Sequence, residues 1–235
     1  MGESLSFESV VFDLFGTLVR PFRRSEHALA MQKCAGILEI DFEECHRLWV
    51  ESFAQRSVGE FGSIAENFAW IVRRTGGEPV EAILLRAAEQ YAQFTVASLE
   101  PLEGVLDTLQ QLRDCGLRVG LLTNCAPDVP EILPETPLGR CFDARVYSCE
   151  AKAAKPAREV YELVVRQLGV DPGRTLYVGD GSDGELAGAA AVGMHPVLVT
   201  PSLVDTYDAQ RPEVAGWAGE RIATIPDVLQ YLARR

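Results

Sequence analysis

What this 235-residue chain lacks narrows its function first. Its six cysteines, at positions 34, 45, 115, 125, 141 and 149, include no C-x-x-C pair and no dense framework, which argues against a zinc site or a disulfide scaffold and for reduced, mostly core thiols. His27, His46 and His195 share no ligand spacing, so no metal is assigned to them. Cations are scarce: 22 Lys and Arg stand against 34 Asp and Glu, a formal charge of -12. Phosphate backbones are held by surplus Lys and Arg, so the balance speaks against a nucleic-acid partner. A small anionic substrate remains open, because a few basic side chains in one pocket suffice. No apolar run approaches the roughly 20 residues that span a bilayer. The N-terminal stretch MGESLSFESV has no basic region followed by an apolar one, as a secretory signal would. These absences predict a soluble cytoplasmic protein with no membrane partner. Internal repeats and low-complexity segments are missing too.

What is there reads as two textures. The 47% hydrophobic content is enough for a full core. Short β-branched and aromatic runs at 7–12, 117–122, 145–148, 175–178 and 196–199, with a weaker one at 221–225, predict strands. Helical patterns at 104–114, 157–168 and 185–192 separate them. This alternation predicts an α/β fold: a Rossmann-like parallel sheet with helices on both faces. Residues 20–99 contain no convincing strand. Apolar residues there recur at three- and four-residue spacing over 28–38, 42–53, 64–72 and 80–99, the mark of amphipathic helices. The expected organisation is a core made of residues 1–19 and 100–235, with an all-helical lobe, residues 20–99, inserted after the first strand.

Ligands of open parallel sheets bind outside the carboxyl ends of the strands. Asp13 follows the first strand, Thr123 and Asn124 the second, and the run Gly179, Asp180, Gly181, Ser182, Asp183 the fourth. Lys155 precedes the helix after the third. Each alone reads as a turn residue, a cap or a solvated charge. Their placement after successive strands predicts that a carboxylate, a hydroxyl with an amide, an ammonium and an acidic cluster meet at one edge. Arg23 and Arg24, where the chain enters the helical lobe, are weaker candidates for an anionic substrate, a solvated helix start being the plainer reading. Trp49, Phe53, Phe61, Phe68 and Trp70 are expected to be mostly core, with one or two facing the pocket. Cys125 adjoins Asn124 and reads as a structural thiol.

The series FDLFGTL at 12–18, LLTN at 121–124, the Lys of AKPAREVY at 154–161 and YVGDGSDGELAGAAAVGM at 177–194 resembles the four motifs of the haloacid dehalogenase superfamily. The resemblance runs over nearly the whole chain, and by it residues 20–99 form a helical cap. It implies that Asp13 is the nucleophile, that Thr123 and Asn124 hold the substrate's anionic oxygens, and that Lys155 neutralises charge beside the nucleophile while also touching substrate. It also implies magnesium, held by Asp13, Asp180 and the main-chain carbonyl of Phe15. Glu185 stands where such sequences often carry another Asp, and metal or water contacts are open for it and for Asp183.

Phe15 departs from the pattern. Phosphatases of the family generally place a second Asp there, which protonates the leaving alkoxide and then activates water. Loss of one positioned acid/base commonly costs about 100-fold to 10,000-fold in rate. The expectation is magnesium-dependent phosphoryl transfer or phosphatase chemistry on a small molecule, with its efficiency reduced. The alternative is a metal-independent 2-haloacid dehalogenase: halide leaves without a proton, and such enzymes carry an aromatic residue at this place, though they usually have Ser where this chain has Asp180. A catalytically weak or silent phosphate-binding or regulatory protein is a third reading. Gly179, Gly181 and Gly184 also satisfy the dinucleotide fingerprint G-x-G-x-x-G. Asp180 and Asp183 would set negative charge against a pyrophosphate, which counts against that match.

Overall fold

The structure, a computed structural model, describes residues 7–200, 204–207 and 211–235. Six strands form one parallel sheet in the order β3-β2-β1-β4-β5-β6. They are β1 (Ser9–Phe12), β2 (Arg118–Thr123), β3 (Ala144–Tyr147), β4 (Thr175–Gly179), β5 (His195–Val199) and β6 (Arg221–Ile222). Between β1 and β2 run α1 (Arg24–Leu38), α2 (Phe42–Glu51), α3 (Phe53–Ser57), α4 (Ile64–Arg74), α5 (Glu81–Ser98) and α6 (Val105–Asp114). After β2 come α7 (Asp128–Ile132), then α8 (Ser148–Ala151) and α9 (Arg158–Leu168) behind β3. The chain closes with α10 (Glu185–Ala191), α11 (Pro212–Gly216) and α12 (Asp227–Ala233). No helix among the described residues is long and apolar enough to cross a membrane.

Sequence alternation explains why the sheet is covered on both faces. Val10 and Phe12 of β1, with Leu176 and Val178 of β4, join one hydrophobic cluster, while Val11 and Tyr177 join another across the sheet with α9 and α10. Successive strand side chains point to opposite faces, so a run apolar on both must be buried on both. Each fully buried Val or Phe side chain contributes about 1.5–3 kcal/mol. The helices α1, α2, α4 and α5 pack on a third cluster of their own, centred on Met31, Trp49, Phe68 and Tyr91. Phe68 is core, as expected, while Phe61 pairs with Trp70 at 6.0 Å between ring centroids.

The helical segment leaves and rejoins the sheet at one point. Val19 pairs as an isolated antiparallel bridge with Pro101, and Leu102 N donates to Leu18 O at 2.9 Å. Helix α1 begins before the expected 28–38. Its extra turn has little apolar signal but is anchored from far along the chain: Arg24 N donates to Asp205 O at 2.7 Å and Ser25 Oγ to Asp205 Oδ2 at 2.5 Å. A carboxylate at a helix start satisfies donors that have no intrahelical partner.

Candidate active site

β1 sits in the middle of the sheet between β2 and β4, where the strand order reverses, and Asp13 is the first residue past its end. The chain must turn at once. Gly16 does so at φ 87°, a left-handed conformation costly to other residues. A Cβ on Gly16 would stand 1.9 Å from Asp180 Oδ2, so the missing side chain is what lets that carboxylate come up to the turn. Thr17 then reaches back, its Oγ1 donating to Asp13 Oδ2 at 3.0 Å.

The other Asp13 oxygen belongs to Lys155. Its Nζ donates to Asp13 Oδ1 at 2.6 Å, to Glu185 Oε2 at 2.5 Å and to the Tyr177 hydroxyl at 3.3 Å. Tyr177 in turn donates to Glu185 Oε2 at 2.7 Å, and Gly181 N donates to Glu185 Oε1 at 2.9 Å. Both Glu185 oxygens are thereby engaged. Asn124 fixes the stretch that carries the lysine. Its Oδ1 accepts Lys155 N at 2.8 Å, while its Nδ2 donates to Lys155 O at 3.2 Å and to Asp183 Oδ2 at 2.8 Å.

Burial sets the electrostatics. It would lower the Lys155 pKa, but the charges of Asp13 and Glu185 outweigh it and hold the ammonium well above the usual lysine range. Burial pushes Glu185 up to about 8 despite the opposing Lys155 charge, with Asp13 and Asp180 adding to the rise. Asp13 is raised as well, by burial and by Asp180, because Lys155 offsets only part of the cost.

Oxygen atoms of Asp13, Asp180 and Glu185, all buried, lie within 4.8 Å of one another. Lys155 pairs with Asp13 and Glu185, and the Arg211 guanidinium lies against Asp180. Three carboxyl groups against these two cations leave an excess of one negative charge if all are ionised. An all-oxygen donor set of three buried carboxyl groups, with more carboxyl groups than cations around it, fits a hard divalent cation.

A cavity of about 340 Å³ opens between this edge and the helical segment. Asp13, Phe15, Asn124 and Lys155 line it, joined by Trp49 and Phe53 of the expected aromatics and by Cys125. Cys125 Sγ lies 3.9 Å from Cys149 Sγ, and burial raises its pKa well above the ordinary thiol value. Thr123 ends β2 fully buried, with a hydroxyl that has no partner, and is not on the cavity wall. Arg23 and Arg24 are not on it either; Arg23 pairs with Glu26, and Arg24 stands over the Tyr207 ring. Phe15 is the first ring of an aromatic run: it meets Phe22 at 4.4 Å between centroids, Phe22 meets Phe94 at 5.2 Å, and Phe94 meets His27 at 5.4 Å.

Sequence reading passed over Thr17, Tyr177, Arg211 and the buried polar residues of the helical wall. Thr17 stands four residues past Asp13 in the same turn, which was the available signal. Tyr177 looked like one more apolar strand residue. Arg211 becomes relevant only once the fold carries it back to β4.

A family model of haloacid dehalogenase-like hydrolases matches residues 7–193. The chain is 30% identical over 233 residues to a glyceraldehyde 3-phosphate phosphatase of Methanopyrus kandleri, covering 97% of this chain and 99% of that protein. It is 28% identical to a phosphoglycolate phosphatase of Salmonella paratyphi A, covering 85% and 84% of the two. Among solved structures, L-2-haloacid dehalogenase from Xanthobacter autotrophicus with chloropropionic acid covalently bound superposes with a TM-score of 0.62 at 22% identity, covering 97% and 98% of the chains. CbbY from Rhodobacter sphaeroides in complex with phosphate gives 0.60 at 22% identity, covering 94% and 96%. At that identity the structures speak for the fold alone.

Proposed function

Because this chain belongs to the haloacid dehalogenase-like hydrolases, we propose that it is a magnesium-dependent phosphatase for a small phosphate ester, with Asp13 as nucleophile and residues 20–99 as a cap over the site. The observation that carries this reading is the buried trio of carboxyl groups within 4.8 Å of one another, an all-oxygen donor set that favours a bound hard cation. The relatives named as phosphatases support it.

An Asp13 oxygen attacks phosphorus while the bond from phosphorus to the leaving oxygen breaks. The leaving oxygen keeps the electron pair and takes its proton from solvent, since Phe15 has none to give. Water then attacks the phosphorus of the aspartyl phosphate, releasing inorganic phosphate and restoring Asp13. Lys155 favours the charged form of the Asp13 carboxylate against burial, and Thr17 fixes the second oxygen. Asn124 acts by positioning Lys155 through the main chain. Asp13, Asp180 and the Phe15 carbonyl would hold Mg²⁺, which when bound supplies charge neutralisation for the phosphoryl oxygens. Glu185, with both oxygens engaged, orients Lys155.

The second reading, halide displacement from a 2-haloacid, is favoured by Phe15 and by the guanidinium of Arg211 against Asp180. A panel of phosphate esters and 2-haloacids, each with Mg²⁺ and with EDTA, separates the two. Mg²⁺-dependent phosphate release that is abolished by Asp13→Asn is expected. Halide release that persists in EDTA would overturn the phosphatase reading.

A further inference from the structure

The helical wall of the cavity contains polar groups that the chemistry at Asp13 does not use. Asp128 opens α7, is only 5% exposed and lines the cavity. Its Oδ2 accepts the Thr95 hydroxyl of α5 at 2.5 Å, while its Oδ1 is buried with no partner. Arg56 of α3, 3% exposed, lines the same cavity. Its NH1 donates to Trp49 O, Ser52 Oγ and Asn67 Oδ1, and its Nε is likewise without a partner. A tie between α5 and α7 needs only one carboxyl oxygen, the Oδ2 that the Thr95 hydroxyl already engages. The second oxygen costs stability unless something in the cavity meets it. The rest of this wall is aromatic, with Trp49, Tyr91 and Phe53 on it.

We propose that Asp128, with Arg56 near it, recognises a hydroxyl on the leaving group, so that the substrate is the phosphate monoester of a phenol whose flat apolar body carries a second hydroxyl. This rests on the phosphatase reading of the site. A hydroxyl suits both orphans: it donates to a carboxyl oxygen and accepts from a guanidinium N–H. The aromatic wall, which begins at Phe15, takes the flat body by ring contact. Phe15 and the wall then fit together functionally, because an aryl leaving group departs with little protonation. Burial raises the Asp128 pKa, against the Thr95 hydrogen bond and the Arg56 charge, and a hydroxyl pairs with the carboxyl in either protonation state.

Two non-hydrolysable probes of nearly equal size test this by calorimetry in the presence of Mg²⁺: 4-hydroxybenzylphosphonate and 4-methylbenzylphosphonate. Inorganic phosphate serves as the reference for the anion site. The hydroxyl probe is expected to bind at least about 10-fold more tightly than the methyl probe, since a site with buried polar groups rejects the analogue that leaves them unpaired. Asp128→Leu should abolish the preference by weakening the hydroxyl probe alone. Asp128→Asn, which keeps size and the Thr95 contact, should reduce it and covers the case in which the leucine variant does not fold. Equal binding of the two probes to the wild-type protein overturns the proposal and leaves the phosphatase reading standing, as does binding of phosphate without either phosphonate. A preference that survives both Asp128 variants overturns it too. Binding of none of the three anions overturns the phosphatase reading and the proposal together.

Discussion

Replacing Phe15 by Asp tests whether the missing acid is what limits turnover. Phe15 is half-buried and loses its ring contact with Phe22 at 4.4 Å between centroids, at the start of the aromatic run. Loss of such a pair plus partial burial should cost about 2–3 kcal/mol of stability. For a chain of this size that lowers the melting temperature by roughly 5–10 °C. The catalytic gain runs the other way. A positioned general acid is worth about 100-fold to 10,000-fold, or roughly 2.7–5.4 kcal/mol of barrier. The new carboxyl would join Asp13, Asp180 and Glu185, and like charges raise a carboxyl pKa, which keeps the proton available. Alkyl phosphate turnover should therefore rise by at least about tenfold in a less stable protein, while aryl phosphate turnover changes little. The assay is steady-state phosphate release at 25 °C over esters of graded alcohol acidity. The wild-type rate should fall steeply as the alcohol becomes less acidic, the Phe15→Asp rate shallowly. Release of the first alcohol should run ahead of phosphate in the wild-type protein, because hydrolysis of the aspartyl phosphate lacks a base. Equal wild-type rates on aryl and alkyl esters, no early burst and an unchanged slope in the variant would show that another residue supplies the proton.

Gly16→Ala places a methyl group against Asp180 Oδ2 at a positive φ, so Mg²⁺ binding by calorimetry and phosphatase activity should both be lost while far-UV circular dichroism still shows a folded chain. Lys155→Met leaves Asp13 and Glu185 buried without their ammonium and should cost about 3–5 kcal/mol in urea unfolding at pH 7, together with activity. Arg211→Gln removes the guanidinium that competes with a cation for Asp180, and Mg²⁺ affinity should increase severalfold. His27, pushed down to about 3 by burial and then by His46 and Arg56, is neutral in the folded protein. Its contribution is complete above pH 6.5 and shrinks as pH falls toward 3, by about 1.4 kcal/mol per pH unit below 6.5. His27→Gln should accordingly narrow the gap between urea-unfolding stabilities at pH 5 and pH 7.

The elements that carry strong periodicity were legible in the sequence. β1, β2 and β4 follow from apolar runs buried on both faces, and α4, α5 and α9 from apolar residues at helical spacing. Helices α3, α7, α8 and α11 span five residues or fewer, too short for a period to show. The start of α1 was hidden because Asp205 anchors it from a distant segment. At the site, Asp13, Lys155 and Asp180 stood out because each follows or precedes an element at the sheet edge. Asn124 also stood out, yet its three hydrogen bonds to Lys155 and Asp183 exist only after the loops meet. Thr95, Arg56 and Asp128 had no local signal. The pairing of Thr95 with Asp128 depends on α5 packing against α7, which no spacing encodes.

The bridge between Val19 and Pro101 has a topological consequence. The chain departs for its excursion through α1 to α5 and returns through a doorway one residue pair wide. On the sheet side β1 is held in register between β2 and β4 by its own pairing. Exchanging the excursion for another helical block of the same span should therefore leave Asp13, Lys155 and Asp180 in register, because the splice points already face each other. The cavity wall itself would be changed only in part by such an exchange, because Trp49, Arg56, Tyr91 and Thr95 belong to the excursion while Phe15 and Asp128 stay with the sheet.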